Sequence, residues 1–364
     1  MKRPDLDPRS VLYTLGALAV AGAIGGGAVV GLGLYNTSAM AGHWAGVPWV
    51  LHTTFRNSVD LRATPESEVP DLTDEMVELG ARHFEAACTD CHAAPGRGRT
   101  ATMKAMVPQP PHITEAVQHW SPGELHWILY AGVKMSGMPA WPADRKDEVW
   151  PVVAFLDRVQ QGMTGQQYQR LVNMPPDGTG GLAYCISCHG AKGGTDNPRI
   201  PRLDIQSQSY MTLALQAYRR GERDSGIMEH AATEVPEAEL ARFASIFADM
   251  PPAAAGEPAT LSALARAGRD LAAREDDRRV PSCNACHGPW PEPLDDKFPS
   301  LAGQNETYLA MQLRLWRDGE RGGSSVSELM HAAAEPLTDD DISALAAYYA
   351  ALPPAKLNDT ADPE

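Results

Sequence analysis

The six cysteines of the 364-residue chain fall into three pairs, each with two residues between its members and a histidine directly after it. The three CxxCH motifs are Cys88, Cys91 and His92, then Cys185, Cys188 and His189, then Cys283, Cys286 and His287. This spacing is typical of c-type haem attachment, in which both thiols add to one porphyrin and the adjacent imidazole binds the iron. We therefore predict three covalently bound haem c groups.

Other uses of paired cysteines fit this sequence less well. Disulfide bonds do not require the histidine, and a structural zinc site needs further cysteines or histidines at ligand spacing. A thioredoxin-like redox pair is expected near a βαβ pattern, and no such pattern surrounds any of the motifs. Haem attachment is the interpretation that uses every cysteine.

The second axial ligand of each iron decides what the protein can do. An iron held by one histidine alone can bind peroxide, oxygen or carbon monoxide, whereas a methionine in the sixth position closes the site and raises the potential. In the first unit we predict Met138, because Gly137 and Pro139 shape a loop around it. The competing ligands in this unit are Met135, His112, His119 and His126.

The second and third motifs lie in an internal repeat. Residues 185–223 align without a gap on residues 283–321, and after a short offset Met228 aligns with Met330. These two methionines are the predicted sixth ligands. His230 and His331 could ligate instead, but they do not align with each other.

The segments around the motifs indicate an all-α fold. Each unit has a short helix before its motif, a loop with glycine and proline, one or two helices, a loop that carries the methionine, and a closing amphipathic helix. No segment alternates with a period of two. The predicted closing helices cover residues 149–159, 237–248 and 339–351, and the predicted domains cover residues 73–165, 166–254 and 255–364, the last with a short acidic tail.

The N-terminal region has the features of a membrane anchor. Residues 11–34 carry no charge, and as a helix they would span about 36 Å, enough to cross a bilayer. Lys2, Arg3 and Arg9 precede them, which places the N-terminus in the cytoplasm. We predict a transmembrane anchor at residues 1–36 and a periplasmic linker at residues 37–72.

Two further features bear on this anchor. Gly22, Gly26, Gly27 and Gly31 would form a smooth face for packing against another membrane helix. The competing interpretation is a cleaved signal peptide, for which residues 39–41 would provide a cleavage site between small residues.

The charge of the chain limits its partners. A formal net charge of −15 argues against nucleic-acid binding, which needs a basic face. Residues 256–364 hold 19 of the acidic residues against 10 basic ones. This part of the chain is therefore the predicted docking surface for a soluble redox protein with a basic face.

Two known families resemble this sequence. Residues 180–354, with two CHG-containing motifs, the blocks at 200–223 and 298–321, and Met228 and Met330, resemble di-haem cytochrome c4. Residues 73–162, with the sequence GMPAW at 137–141, resemble a mono-haem class I cytochrome c domain. The resemblance implies three tandem class I cytochrome c domains behind one transmembrane helix, each wrapped around one haem. The sequence departs from the family pattern in two places. Few residues are available for a helix before Cys185, and a charged insert lies at 274–279.

These features together predict a membrane-anchored, three-haem electron-transfer cytochrome rather than an enzyme. It would pass the bacterial inner membrane once and hold its haem domains in the periplasm. We expect it to be a subunit of a respiratory or photosynthetic complex, with an oxidase, quinol-oxidising complex or dehydrogenase as partner. Two competing functions are a free membrane-tethered electron shuttle and a multi-haem peroxidase, which would need an open iron site.

Overall fold

The computed structural model describes residues 7–134, 136–172, 181–252, 260–273, 280–288 and 294–354. Within these residues the regular structure is helical throughout and includes no β-strand, which confirms the predicted all-α class. The charged insert at 274–279 and the acidic tail lie outside the described residues. Below, the first, second and third units are the predicted ranges 73–165, 166–254 and 255–364.

Two helices precede the first unit, α1 (Pro8–Gly31) and α2 (Val47–Asp60). The carboxylate of Asp7 accepts hydrogen bonds from the backbone nitrogens of Arg9 and Ser10 and so caps α1. Helix α1 is exposed along its length, and its 24 residues are long and apolar enough to cross a membrane, as a signal sequence also can be. The ring of Phe55 in α2 packs edge-on against Trp120, so α2 leans on the first unit.

Helices of the first unit surround one apolar core. They are α3 (Asp74–Ala87), α4 (Thr89–His92), α5 (Ala101–Lys104), α6 (Ile113–Ala116), α7 (Pro122–Ala131), α8 (Val149–Gln160) and α9 (Gly165–Val172). Short 3₁₀ turns form at Glu66–Glu68 and Lys146–Glu148. Helices α3 and α8 cross in direct contact, because a Cβ at Gly80 would lie 1.9 Å from the carbonyl oxygen of Pro151. Helix α9 extends beyond residue 165, yet its Tyr168 is buried in this core.

The helices of the second and third units follow the same order. The difference, within the described residues, is that a separate helix precedes the motif in the third unit. The second contains α10 (Leu182–His189), α11 (Gln208–Arg219), α12 (Gly226–Glu234) and α13 (Glu237–Ala248). The third contains α14 (Ala263–Ala273), α15 (Asn284–His287), α16 (Glu306–Arg317), α17 (Ser327–Ala334) and α18 (Asp339–Ala351). Helices α14 and α18 cross as α3 and α8 do, at Gly268 against Ala344.

The sequence predicted the closing helices closely and misjudged the methionine segments. Helices α8, α13 and α18 begin at the predicted residues and end within one residue of the predicted ends. Met138 lies in a loop as expected, but Met228 and Met330 lie inside α12 and α17. In α12 the reason is the hydroxyl of Ser225, which accepts a hydrogen bond from the backbone nitrogen of Met228 and caps a helix there.

Candidate haem-binding sites

The histidines of all three motifs are held in the same way. Each ring bonds through Nδ1 to the backbone carbonyl of a proline, and this leaves Nε2 as the nitrogen available to a metal. Burial also lowers the pKa of each imidazole, which favours the neutral, ligating form. These bonds join His92 to Pro111 at 2.9 Å, His189 to Pro201 at 2.9 Å and His287 to Pro299 at 3.1 Å.

The paired cysteines lie close together, in or directly before the short helices that contain the motif histidines. Cys185 and Cys188 lie three residues apart in α10 and therefore share one helix face. All six cysteines are free thiols of intermediate exposure. Burial raises the pKa of the Cys185 and Cys283 thiols to about 11.

A single cavity of about 1360 Å³ connects the second and third motifs. Ligand pockets usually measure roughly 300–1,000 Å³, so this volume exceeds the usual range for one small ligand. Residues of both motifs and both predicted methionines line it, namely Cys185, Cys188, His189, Met228, Cys283, Cys286, His287 and Met330. Cys88, His92 and Met138 of the first unit are not among its lining residues.

The predicted methionines of the second and third units lie in the same cavity as their histidines. In the third unit the Sδ atom of Met330 is 3.5 Å from Nε2 of His287. In the first unit the backbone nitrogen of Met138 bonds to the Ser136 hydroxyl, and its carbonyl accepts a bond from Val133, which closes a tight loop.

Most of the competing histidine ligands are already engaged. Both ring nitrogens of His112 are bonded, to Thr114 and to the Arg97 carbonyl. Both nitrogens of His126 are bonded as well. Nε2 of His331 lies 2.6 Å from the Arg321 carbonyl oxygen. His119 is exposed, His230 has a buried Nε2 with no hydrogen-bond partner among the described residues, and Met135 lies outside them.

A buried cluster of arginines and tyrosines between the second and third units was not predicted as part of the site. Arg223 bonds to the hydroxyls of Tyr210 and Tyr308, and Arg321 bonds to Tyr210. Burial alone would raise the pKa of Tyr210, but the two guanidinium charges outweigh it and lower the pKa to about 8. The four residues form two aligned pairs in the internal repeat, and this alignment was the sequence signal.

The cluster fits the predicted cofactor. Both arginines line the cavity, and among the described residues neither forms an ion pair with a carboxylate. A buried cation without a counter-charge is costly. Two cations beside a cavity of this size therefore suit a ligand that carries its own carboxylates, and the propionates of haem are such groups.

Comparisons with known proteins show similarity to c-type cytochromes. Residues 75–156 match the family model described as cytochrome c oxidase, cbb3-type, subunit III. The thiosulfate dehydrogenase electron acceptor of Thiomonas intermedia is 34% identical over 182 residues, which cover 49% of this chain and 81% of that protein. Cytochrome c4 of Pseudomonas aeruginosa is 30% identical over 175 residues, 47% of this chain and 84% of that protein.

A solved structure is also similar. Reduced recombinant cytochrome c4 from Pseudomonas stutzeri is 28% identical, with a TM-score of 0.43, and the match covers 49% of this chain and all of that chain. The chain belongs to the c-type cytochrome family, in the group that includes cytochrome c4 and the thiosulfate dehydrogenase electron acceptors. Haem binding and electron transfer are therefore its general activity.

Proposed function

We propose that the chain is a three-haem electron carrier anchored in the bacterial inner membrane with its haem units in the periplasm. Each CxxCH motif would attach one haem c, and the axial pairs would be His92 with Met138, His189 with Met228, and His287 with Met330. The observation that carries the proposal is the Nδ1 bond to a proline carbonyl, which recurs at all three histidines. The same second bond orients many metal-binding histidines.

The residues of the chain have three tasks in this function. A haem c supplies a one-electron ferric and ferrous couple. The histidines and methionines would hold the iron from both sides, and a substrate would then find no open position on it. Apolar walls limit the water near the site, and the cations Arg223 and Arg321 would balance the charge of haem carboxylates.

The anchor and the relatives support a partner in the membrane or periplasm. Helix α1 is long and apolar enough to cross the bilayer. Two relatives are named as the electron acceptor of thiosulfate dehydrogenase. We infer that this chain likewise takes electrons from an oxidoreductase and passes them on, as a subunit of a redox complex or through a basic soluble protein that docks on the acidic third unit.

The haem count and the ligation test the proposal directly. The purified full chain should contain three covalent haems per polypeptide, by pyridine haemochrome assay against total protein. The oxidised protein should show the methionine-to-iron charge-transfer band, and the reduced protein should not take up carbon monoxide. Fewer than three haems, or native high-spin iron that binds carbon monoxide, would contradict the proposal and favour a multi-haem peroxidase.

Extraction from the membrane separates the complex subunit from the free shuttle. A subunit should leave the membrane in mild detergent together with other polypeptides, in a particle much larger than its own 39.2 kDa. A monomer in the same extract would instead favour the free tethered shuttle.

A further inference from the structure

Among the described residues, no helix lies between α9, which packs in the core of the first unit, and α10, which contains the second motif. In the first and third units a helix ahead of the motif crosses the closing helix, at Gly80 and at Gly268. In the described part of the second unit, α10 begins at Leu182 and already contains the motif. A methyl group at Gly181 would make only ordinary contacts, at 3.5 Å from Phe243 of α13, so no such close crossing occurs there.

Residues of the first unit form part of the wall around the second motif. Met76 and Leu79 of α3, with Trp150 and Pro151 of α8, line the cavity that contains Cys185 and His189. These four side chains belong to the two helices that cross in the first unit. This crossing therefore borders the cavity that the second and third motifs share.

Direct hydrogen bonds fix the histidine side of the second site to the first unit. Nη1 of Arg82 in α3 donates to the carbonyl oxygen of Cys188 at 3.1 Å, next to His189. The buried amide of Asn197 donates to the carbonyl oxygen of Glu75 and to the carboxylate of Glu78, both at 2.9 Å. The segment that carries His189 is thus hydrogen-bonded to one helix of the first unit.

Two contacts also join the Met228 side of the second site to the first unit, one through Ser225 and one through Gly226. The Ser225 hydroxyl donates to Oε1 of the buried Glu148 at 2.6 Å and accepts from the backbone nitrogen of Met228 at 3.3 Å. Gly226, the first residue of α12, leaves room for the indole of Trp141, because a Cβ there would lie 2.3 Å from Nε1 of that ring. The first unit therefore contacts the N-terminal end of α12, the helix that contains Met228.

We propose that the second haem site is a composite site, in which the first unit supplies one wall and positions the segments of both His189 and Met228. The proposal rests on the proposed ligation of the second iron by these two residues. Glu148, Trp141 and Arg82 are then positioning residues for a haem that is attached at a motif distant from them in the chain. Ligation at the second iron depends on contacts that the second unit does not contain.

The substitution Gly226→Ala in the full chain tests the methionine side. Alanine is favoured over glycine in helices, so a defect would come from the clash with Trp141 and not from α12 itself. Gly181→Ala is the matched control, because it adds the same methyl group to the same unit at ordinary contact distance.

Arg82→Met tests the histidine side, because it removes the bond to the Cys188 carbonyl. Its control is Arg158→Met in α8 of the same unit, which removes an exposed ion pair with Asp74. The two pairs of variants approach the same site from opposite sides.

The readouts are covalent haem per chain, carbon monoxide uptake by the reduced protein, and the upfield methionine methyl signals in its NMR spectrum. We expect Gly226→Ala to lose one of three methyl signals and to bind carbon monoxide at about one haem in three, with Arg82→Met showing a weaker effect of the same kind. Three methyl signals and no carbon monoxide uptake in both variants would overturn the composite site. Absence of the second methionine signal in the unsubstituted protein would instead refute the underlying ligation.

Discussion

The Nε2 atom of His287 lies 3.5 Å from the Sδ atom of Met330, although 43 residues separate the two in the chain. The opposite nitrogen of the imidazole is bonded to the Pro299 carbonyl, so Nε2 is directed into the cavity. The imidazole and the thioether are therefore in direct contact, and these are the two residues that would hold the third iron.

The first prediction concerns the substitution Met330→Leu. Leucine fills a similar volume but has no lone pair, so one of the three irons should lose its sixth ligand. We expect about one third of the haem to become high-spin in the ferric state and to bind carbon monoxide when reduced. Electronic absorption and carbon monoxide titration of the purified protein would measure both changes.

Met311→Leu is the control for this substitution. Met311 lines the same cavity, but it lies in α16 and is not a predicted ligand. This variant should retain three low-spin haems. Equal spectra for Met330→Leu and the unsubstituted protein would show that another side chain, such as His331, binds the third iron.

The second prediction concerns the buried cation Arg321. Replacement by glutamine removes positive charge beside the cavity, so negative charge in the site is less balanced and the ferric state gains stability. At an effective dielectric constant of about 20, a charge about 10 Å away contributes roughly 1–2 kcal/mol, which corresponds to a potential lower by tens of millivolts.

A spectroelectrochemical titration would measure this shift in Arg321→Gln. Arg269→Gln is the control, because Arg269 lies on α14 in an exposed ion pair with Asp270 and does not line the cavity. Its titration curve should match that of the unsubstituted protein. A higher potential in Arg321→Gln would contradict the assigned role of the arginine.

The third prediction concerns the helix crossing at Gly268. A Cβ at this position would lie 1.9 Å from the carbonyl oxygen of Ala344, and backbone cannot give way as a flexible side chain can. We expect Gly268→Ala to lower the free energy of unfolding by about 3 kcal/mol. Denaturant titration followed by far-ultraviolet circular dichroism would measure the loss. Gly98→Ala, which has open space around its Cβ, should remain within about 0.5 kcal/mol.

The fourth prediction is a pH dependence caused by His83. Burial, with a smaller effect of the nearby His230, lowers the pKa of His83 from 6.5 to about 3. Between these two values the unfolded chain binds one more proton than the folded chain. The contribution of His83 to the free energy of unfolding is therefore fully present above about pH 6.5. As the pH decreases towards 3, this contribution falls by up to about 1.4 kcal/mol per pH unit.

Denaturant titrations at several pH values in this window would measure the slope. In His83→Gln the free energy of unfolding should depend less steeply on pH, by the equivalent of about one proton. His119→Gln, at an exposed position, should keep the slope of the unsubstituted protein. Parallel curves for His83→Gln and the unsubstituted protein would show that His83 does not titrate on unfolding.

Local pattern accounts for the parts of the fold that the sequence predicted well. The closing helices α13 and α18 follow from apolar periodicity with acidic residues in the first turn, and their bounds match the prediction. Helix α12 was missed because a single hydroxyl, that of Ser225, caps it in a segment that otherwise resembles a loop. Apolar periodicity over a few residues does not reveal such a cap.

By itself, the amino-acid sequence determined the chemistry of the attachment motifs and the candidate axial residues, because residue type and spacing over a few positions define them. Only the tertiary structure decided that Pro111, Pro201 and Pro299 orient the histidines, and that Arg223 and Arg321 share one buried cluster. It alone placed Trp141 against Gly226, so that the first unit lies against the second site. Such contacts join residues far apart in the chain, and they form only when helices pack, which no local pattern encodes.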